Sequence, residues 1–261
     1  MDENLKLSKS FGILNHEKYY EKKVSVSFDT IIYDENAEIK VLVQIEPPEV
    51  YNLTNSIIKN RKNFDLILTW RDDILEICEN SKKFFFGSCW VDLNKINIEK
   101  KDEISFITSD KRFTPGHIMR HEFLKKYENV EQINGFSFKK ILTPPRVENK
   151  NFLFENAKFH VVIENVSRNN WFTEKLIDCF ATNTIPIYCG CPNISEIFDV
   201  NGMFRFKNLD ELHEILYNLD NKCYENKLES IHKNYNTSKE YFDFHGRIES
   251  EIKEFISNKT K

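Results

Sequence analysis

The sequence predicts an α/β protein in two parts, the second of them Rossmann-like, and three observations lead there. Short apolar runs of strand length alternate with segments of helical spacing, the pattern of βαβ units whose crossover helices cover a parallel sheet. Several runs are continuously apolar rather than alternating, as strands buried on both faces are. A charged stretch, NKINIEKKDE at residues 94–103, interrupts the series and suits an exposed linker. The expected organisation is a short first domain over residues 1–100 and a second over 101–261, with a C-terminal helix docking back.

In the first half, KVSVSF (23–28), IKVLVQIE (39–46), FDLILTW (64–70) and KFFFGSCW (83–90) read as strands, and NLTNSIIKN supplies a helical crossover. The second run stops at Pro47-Pro48, which cannot donate ladder hydrogen bonds. After the linker come a strand at 104–108, a helix at 115–127 and a short strand around 130–135. The strand FHVVIEN (159–165), the helix TEKLIDCFATN (173–183) and the strand IPIYCG (185–190) follow, and then the strand 204–206 and the helix 209–219. In the tail, Ile248, Ile252, Phe255 and Ile256 share one helical face that calls for a partner.

Composition narrows the function. With 40% apolar and 30% charged residues in 261, the chain can build a packed core. A net charge of -4 from 37 basic and 41 acidic residues leaves no basic excess for a nucleic-acid backbone. The start MDENLKLSKSF is no apolar signal segment, and no run reaches the roughly 18 apolar residues of a membrane span. The expectation is a cytoplasmic protein without a transmembrane segment, with peripheral contact at a membrane surface left open. Six cysteines without a repeated CxxC pattern read as buried reduced thiols, Cys179 among them. His117 and His121 lie four apart on a helix, but HIMRH lacks the glutamate of a zinc protease and reads as a solvated helix face. Asp72-Asp73 reads as the charged start of a helix.

The stretch that concentrates chemistry is VIENVSRNNWFTEKLIDCF, residues 162–180. Glu164 and Asn165 end a strand; ten residues after Glu164, Glu174 opens a helix with Lys175 beside it, and Thr173 suits the N-cap. In doubly wound sheets, ligands bind where strands end and helices begin. A carboxylate can accept two hydrogen bonds from a ribose diol, and a lysine at a positive helix end suits a phosphate. The residues alone leave a second reading open, in which Glu174 and Lys175 are ordinary first-turn charges facing water. The chain has only seven glycines and no Gly-rich phosphate loop to decide between them.

The segment 159–190, FHVVIENVSRNNWFTEKLIDCFATNTIPIYCG, resembles the donor-binding signature of the alpha-1,3-fucosyltransferases, glycosyltransferase family 10. There an FEN strand end is followed by TEK and then by a TVP or TIP strand ending in glycine, with the same Glu-to-Glu spacing. Weaker resemblance runs over residues 40–220, including FDLILTWRDDI and the helix that carries Arg120. The resemblance implies a GT-B architecture, two Rossmann-like domains facing a cleft, and a nucleotide-sugar donor, GDP-fucose in most members. By matching position, Arg120 and Lys175 would neutralise the diphosphate, Glu174 would hold the ribose, and Glu164 and Asn165 would line the same pocket. Trp171 stands where the family has a tyrosine, keeping a ring face and losing the hydroxyl.

The implied activity is inverting transfer of a sugar to a hydroxyl of a glycan acceptor. Such a reaction needs a base for the acceptor hydroxyl and positive charge for the departing diphosphate. Arg120 and Lys175 would supply that charge, so that no metal or other cofactor is required. Glu46 corresponds to the family's base and Glu49 is its rival. The alternatives are transfer from another nucleotide sugar and a catalytically silent nucleotide-sugar-binding protein.

Overall fold

The first sheet explains how the N-terminal residues are used. In the computed structural model, which describes residues 13–16, 23–143 and 149–259, it is formed by β1 (Ile13–His16), β2 (Val24–Phe28), β3 (Ile39–Val43), β4 (Leu66–Thr69) and β5 (Ser81–Lys83) in that spatial order. β1 runs antiparallel to β2, and the remaining neighbours are parallel. The helices α1 (Thr54–Asn60) and α2 (Asp72–Ile77) make the crossovers, the second opening with Asp72 and Asp73 at its positive end. Leu42 and Ile67 from the strands meet Leu53 and Ile57 at α1 and Ile74 and Cys78 at α2 in one buried cluster.

Two expected strands end differently from the sequence reading. β3 stops at Val43: Gln44 still donates to the Leu68 carbonyl at 2.8 Å, and then the amides of Ile45 and Glu46 turn to the carboxylate of Asp29. The run 83–90 forms no strand beyond Lys83. Phe84 donates to Thr69 at 2.8 Å, but the amides of Trp90 and Val91 are taken by the Asp178 side chain, which replaces ladder bonding.

The second sheet comprises β6 (Lys101–Ser109), β7 (Gln132–Ile133), β8 (Phe136–Thr143), β9 (Ala157–Ile163), β10 (Ile185–Cys189) and β11 (Phe204–Arg205), in the order β11-β10-β9-β6-β8-β7. It is parallel except for the β7–β8 hairpin. Its helices are α3 (Pro115–Lys126), α4 (Asn151–Phe154), α5 (Glu174–Ala181), α6 (Leu209–Tyr217), α7 (Asn221–Glu225) and α8 (Leu228–Ser238). The hairpin turns at Asn134-Gly135, both with positive φ (49° and 86°), as a two-residue hairpin loop requires. The expected short strand at 130–135 is therefore one arm of a hairpin whose longer arm is β8. The charged linker ends earlier than expected, because its last three residues already belong to β6 and Lys101 donates to Asn156 at 2.8 Å.

The chain divides into two compact units, Met1–Phe86 with Ile248–Lys261, and Gly87–Arg247. The division falls upstream of residue 100, and α9 (Phe244–Lys259) delivers its residues from Ile248 onward to the first unit. There Ile248 and Ile252 are buried, Lys82 pairs with Glu251 and Glu254 at 2.6 and 2.9 Å, and Lys259 with Asp65 at 2.7 Å. Among the described residues, no helix is long and apolar enough to cross a membrane.

In the second sheet, β6 has β8 on one side and β9 on the other, so the chain moves outward from β6 in both directions. The gap between the carboxyl ends of β6 and β9 is a topological switch point, where open α/β sheets bind ligands. That edge carries Glu164, Asn165 and the first turn of α3.

Candidate functional site

Three close contacts shape the site. Gly116, in the first turn of α3, donates its amide to the Asn165 carbonyl at 3.0 Å, and a Cβ on it would overlap the Glu164 carbonyl. Glycine is needed here for approach, since its φ is not positive. Thr114 caps the same helix in a reciprocal box with His117. On the far side of β9, a Cβ on Gly190 would overlap the Tyr188 hydroxyl and crowd the Glu164 side chain. The end of β9 is thus enclosed by two backbones that only glycine allows so near.

Glu164 is buried, and its carboxylate organises the loop that leads into α5. It accepts the Thr173 amide at 2.9 Å and the Thr173 hydroxyl at 2.8 Å. That hydroxyl in turn accepts from the Lys175 amide at 3.3 Å and from Lys175 Nζ at 3.1 Å. The Thr173 cap expected from sequence is present, and Glu164 fixes it. Burial raises the Glu164 carboxyl above its ordinary range, against the lowering effect of Lys175.

Arg120, buried on α3, reaches the same strand end. Its Nη1 donates to the Ile163 carbonyl at 2.7 Å and its Nη2 to Asn165 Oδ1 at 2.8 Å, while Nε is buried and has no hydrogen-bond partner among the described residues. Burial lowers its pKa, opposed by the charges of Glu164 and Glu174. Asn165 holds Arg120 through its side chain and Gly116 through its carbonyl, so with the Arg120–Ile163 bond α3 and the end of β9 are joined at the switch point by three polar links.

Glu174 and Lys175 open α5. Lys175 Nζ lies 3.2 Å from Glu174 Oε1 and 3.6 Å from Glu164 Oε2, and its side chain remains 24% exposed. Burial would raise the Glu174 carboxyl, yet Lys175 and Lys150 together hold it at about 2. Burial likewise works against the Lys175 ammonium, and Glu174 and Glu164 outweigh it, so its pKa lies above the ordinary value. The reading of Glu174 and Lys175 as plain first-turn charges facing water does not describe these contacts.

The sequence did not single out two further members. Lys150, which precedes α4, lies 3.5 Å from Glu174 Oε1 and 3.6 Å from Asp178 Oδ2, with its ammonium 4.6 Å from the Trp90 ring centre. Asp178 is wholly buried, takes the Trp90 and Val91 amides at 2.6 and 3.2 Å, and is pushed up to about 6 by burial. It stands four residues after Glu174, hence on the same helix face, which was a legible signal. Lys150 had none, being 24 residues from its nearest partner in sequence. The group comprises three cations and three carboxylates: Arg120, Lys150 and Lys175 with Glu164, Glu174 and Asp178.

Other candidates separate from it. Trp171 is only 1% exposed, so its ring belongs to the interior. His117 and His121 are both buried, contrary to a solvated helix face: His117 completes the α3 cap, and His121 Nε2 contacts the Lys111 carbonyl at 3.1 Å. Burial, with Arg120, Lys111 and Lys175 nearby, lowers His117 to about 4. Among the described residues, no group of three or more His, Cys, Asp or Glu is placed to hold a metal ion. The cysteines are free thiols, with Cys179 buried as a core residue. Glu46 and Glu49 lie in the other unit, past the end of β3.

No protein-family profile matches the chain. Over 115 residues it is 30% identical to the alpha-(1,3)-fucosyltransferase FucT of Helicobacter pylori. The likeness is to a fucosyltransferase. The aligned part is 43% of this chain and 23% of that protein, so this chain matches about a quarter of its relative's length. Among solved structures, an alpha1,3-fucosyltransferase with GDP-fucose is similar at a TM-score of 0.49 and 18% identity, covering 84% of this chain and 80% of that one. An alpha1,3-fucosyltransferase with GDP gives 0.49 and 17%, covering 79% and 78%.

Proposed function

We propose that the chain is an inverting glycosyltransferase of fucosyltransferase type, taking GDP-fucose as donor and a hydroxyl of a glycan as acceptor. Its two α/β units are the parts from which a GT-B transferase is assembled. The observation that carries the reading is the Lys175–Glu174 ion pair that begins α5 at the switch point of the second sheet, where Arg120 is held against the end of β9. The similarity to the fucosyltransferase FucT supports the same reading.

In this account the diphosphate lies against Arg120 and Lys175, beside the N-terminus of α5, and the ribose hydroxyls donate to Glu174. Lys150 keeps Glu174 ionised and therefore able to accept. Glu164 and Asn165 act from behind, holding Thr173, Lys175 and Arg120 in place. Glu46 removes the proton from the acceptor hydroxyl as its oxygen bonds to the anomeric carbon. The bond from that carbon to the phosphate oxygen breaks, and GDP departs with the electron pair. Arg120 and Lys175 stabilise the charge that develops on the leaving group, the role a metal plays in other transferases. The proton on Glu46 passes to solvent, and attack from the face opposite GDP inverts the anomeric centre.

The test is release of GDP from GDP-fucose, with and without a panel of glycan acceptors, in the wild type and in Glu46→Ala. Acceptor-stimulated release that the variant loses is the expected result. If GDP-fucose binds and the wild type shows neither hydrolysis nor transfer, the proposal fails.

A further inference from the structure

The geometry points to Asp29 as the residue that positions Glu46 for proton abstraction, an inference that rests on the proposed role of Glu46 as base. Asp29 follows β2 directly and is buried in a left-handed conformation with φ 45°, which costs most side chains energy and is best tolerated by glycine, asparagine and aspartate. Its amide donates to the Val43 carbonyl at 3.1 Å, tying it to the last residue of β3. Its carboxylate then takes two successive amides of the segment beyond β3. Ile45 donates to Oδ1 at 2.9 Å, and Glu46 donates to Oδ2 at 3.1 Å and to Oδ1 at 3.3 Å.

The neighbouring peptide groups are fixed as well. Trp70 Nε1 donates to the Ile45 carbonyl at 3.1 Å, and the Gln44 amide donates to Leu68 at 2.8 Å. The Gln44 side chain accepts from Thr69 Oγ1 at 2.6 Å. On the other side stand Pro47 and Pro48, whose φ angles are locked by their rings. The Pro47 carbonyl accepts the amides of Val50 and Tyr51, both at 2.9 Å. Glu46 therefore occupies a short irregular segment in which the peptides before it are hydrogen-bonded and the residues after it are stiff. Asp29 grips the Glu46 amide itself with its side chain.

Keeping an ionisable group there is costly. Burial pushes the Asp29 carboxyl up to about 7, the amides of Ile45 and Glu46 counter it, and the Glu46 charge adds to the rise. A segment that merely needed to turn could have used a neutral side chain at this position. A carboxylate grips two adjacent amides with two oxygens, which fixes the direction in which Glu46 leaves the backbone, and catalytic groups must hold position to within about 0.5 Å.

Asp29→Asn keeps the left-handed preference and one acceptor oxygen; Asp29→Gly keeps the backbone and removes both. Steady-state GDP release from GDP-fucose with the acceptor panel, GDP binding by calorimetry and thermal unfolding are compared among wild type, the two variants and Glu46→Gln. We expect kcat to fall about tenfold in Asp29→Asn and about a hundredfold in Asp29→Gly, the scale for a reacting group displaced by about 1 Å. The KM for GDP-fucose and the Kd for GDP should stay within about twofold in both, since the donor residues belong to the other unit. If Glu46→Gln is inactive but both Asp29 variants keep wild-type kcat, the positioning role is wrong and the base assignment survives. If kcat, donor affinity and folded fraction all fall together, Asp29 is only structural. Wild-type turnover in Glu46→Gln, or a wild type without turnover, removes the base reading and this inference with it.

Discussion

Replacing Lys175 with methionine removes a cation while keeping most of the side-chain volume, so its effect can be worked from the ion cluster. Glu174 sits at about 2 against an ordinary 4.5, because Lys175 and then Lys150 overcome the cost of burial. That interval, at about 1.4 kcal/mol per tenfold change in proton affinity, is about 3.5 kcal/mol left after burial has been overcome, a lower bound on what the two lysines supply together. Lys175 is the nearer of them, at 3.2 Å against 3.5 Å, and is assigned a little over half of it, about 2 kcal/mol, below the loss for a fully buried pair because its side chain is still partly exposed. Since about 1 kcal/mol moves the melting temperature of a domain of this size by about 2–4 °C, Lys175→Met should melt about 4–8 °C lower at pH 7. A carboxylate whose pKa is depressed by folding stabilises the folded state above its unfolded value and loses that contribution as the pH falls through its folded value. The gap between wild type and variant should therefore be full above about pH 4.5 and close as the pH approaches about 2. Thermal scans across that range, with and without GDP, read both the stability and the site. A gap of equal size at acid and neutral pH would mean that packing, not charge, is at work, and an equal GDP-induced rise in both proteins would remove Lys175 from the donor site.

Three further outcomes follow from the same geometry. Asp178 is held at about 6 by burial against an ordinary 3.8, so its ionisation opposes folding more as the pH rises; Asp178→Asn should equal the wild type near pH 3 and be about 3 kcal/mol more stable at pH 8 by urea denaturation, and a less stable variant at pH 8 contradicts this. Gly116→Ala would drive a Cβ into the Glu164 carbonyl, and backbone cannot yield as a side chain can; a loss of at least about 2 kcal/mol in urea and weakened GDP binding are expected. GDP release from GDP-fucose should be the same with and without EDTA, because Arg120 and Lys175 carry the leaving-group charge in this account; loss of activity on chelation would require a metal.

The second sheet was largely legible because its strands are long apolar runs bounded by polar residues, and the helix at Glu174 carried a capping threonine and an apolar face. The NG pair at Asn134-Gly135 was a readable hairpin signal that the apolar pattern overshadowed, and β8 was missed with it. The run 83–90 misled because its three phenylalanines have strand composition, whereas its backbone partners lie elsewhere, Asp178 among them. Within the site, local order could place Glu164, Thr173, Glu174 and Lys175 together, and the resemblance brought in Arg120. It could not show that Glu164 spends its carboxylate on Thr173, that Trp171 turns inward, or that Lys150 joins the cluster. Those depend on how distant segments pack. Asp29 was hidden for the same reason, since nothing local connects it with an amide 17 residues away.

In the proposed function, the charged edge between β6 and β9 binds a guanosine diphosphate sugar through Lys175. Calorimetric titration of GDP into the wild type and Lys175→Met tests it most directly. Saturable binding to the wild type in the micromolar range is expected, weakened at least about tenfold, or about 1.4 kcal/mol, in the variant. No binding by the wild type at millimolar GDP, or identical affinity in the two proteins, would contradict it.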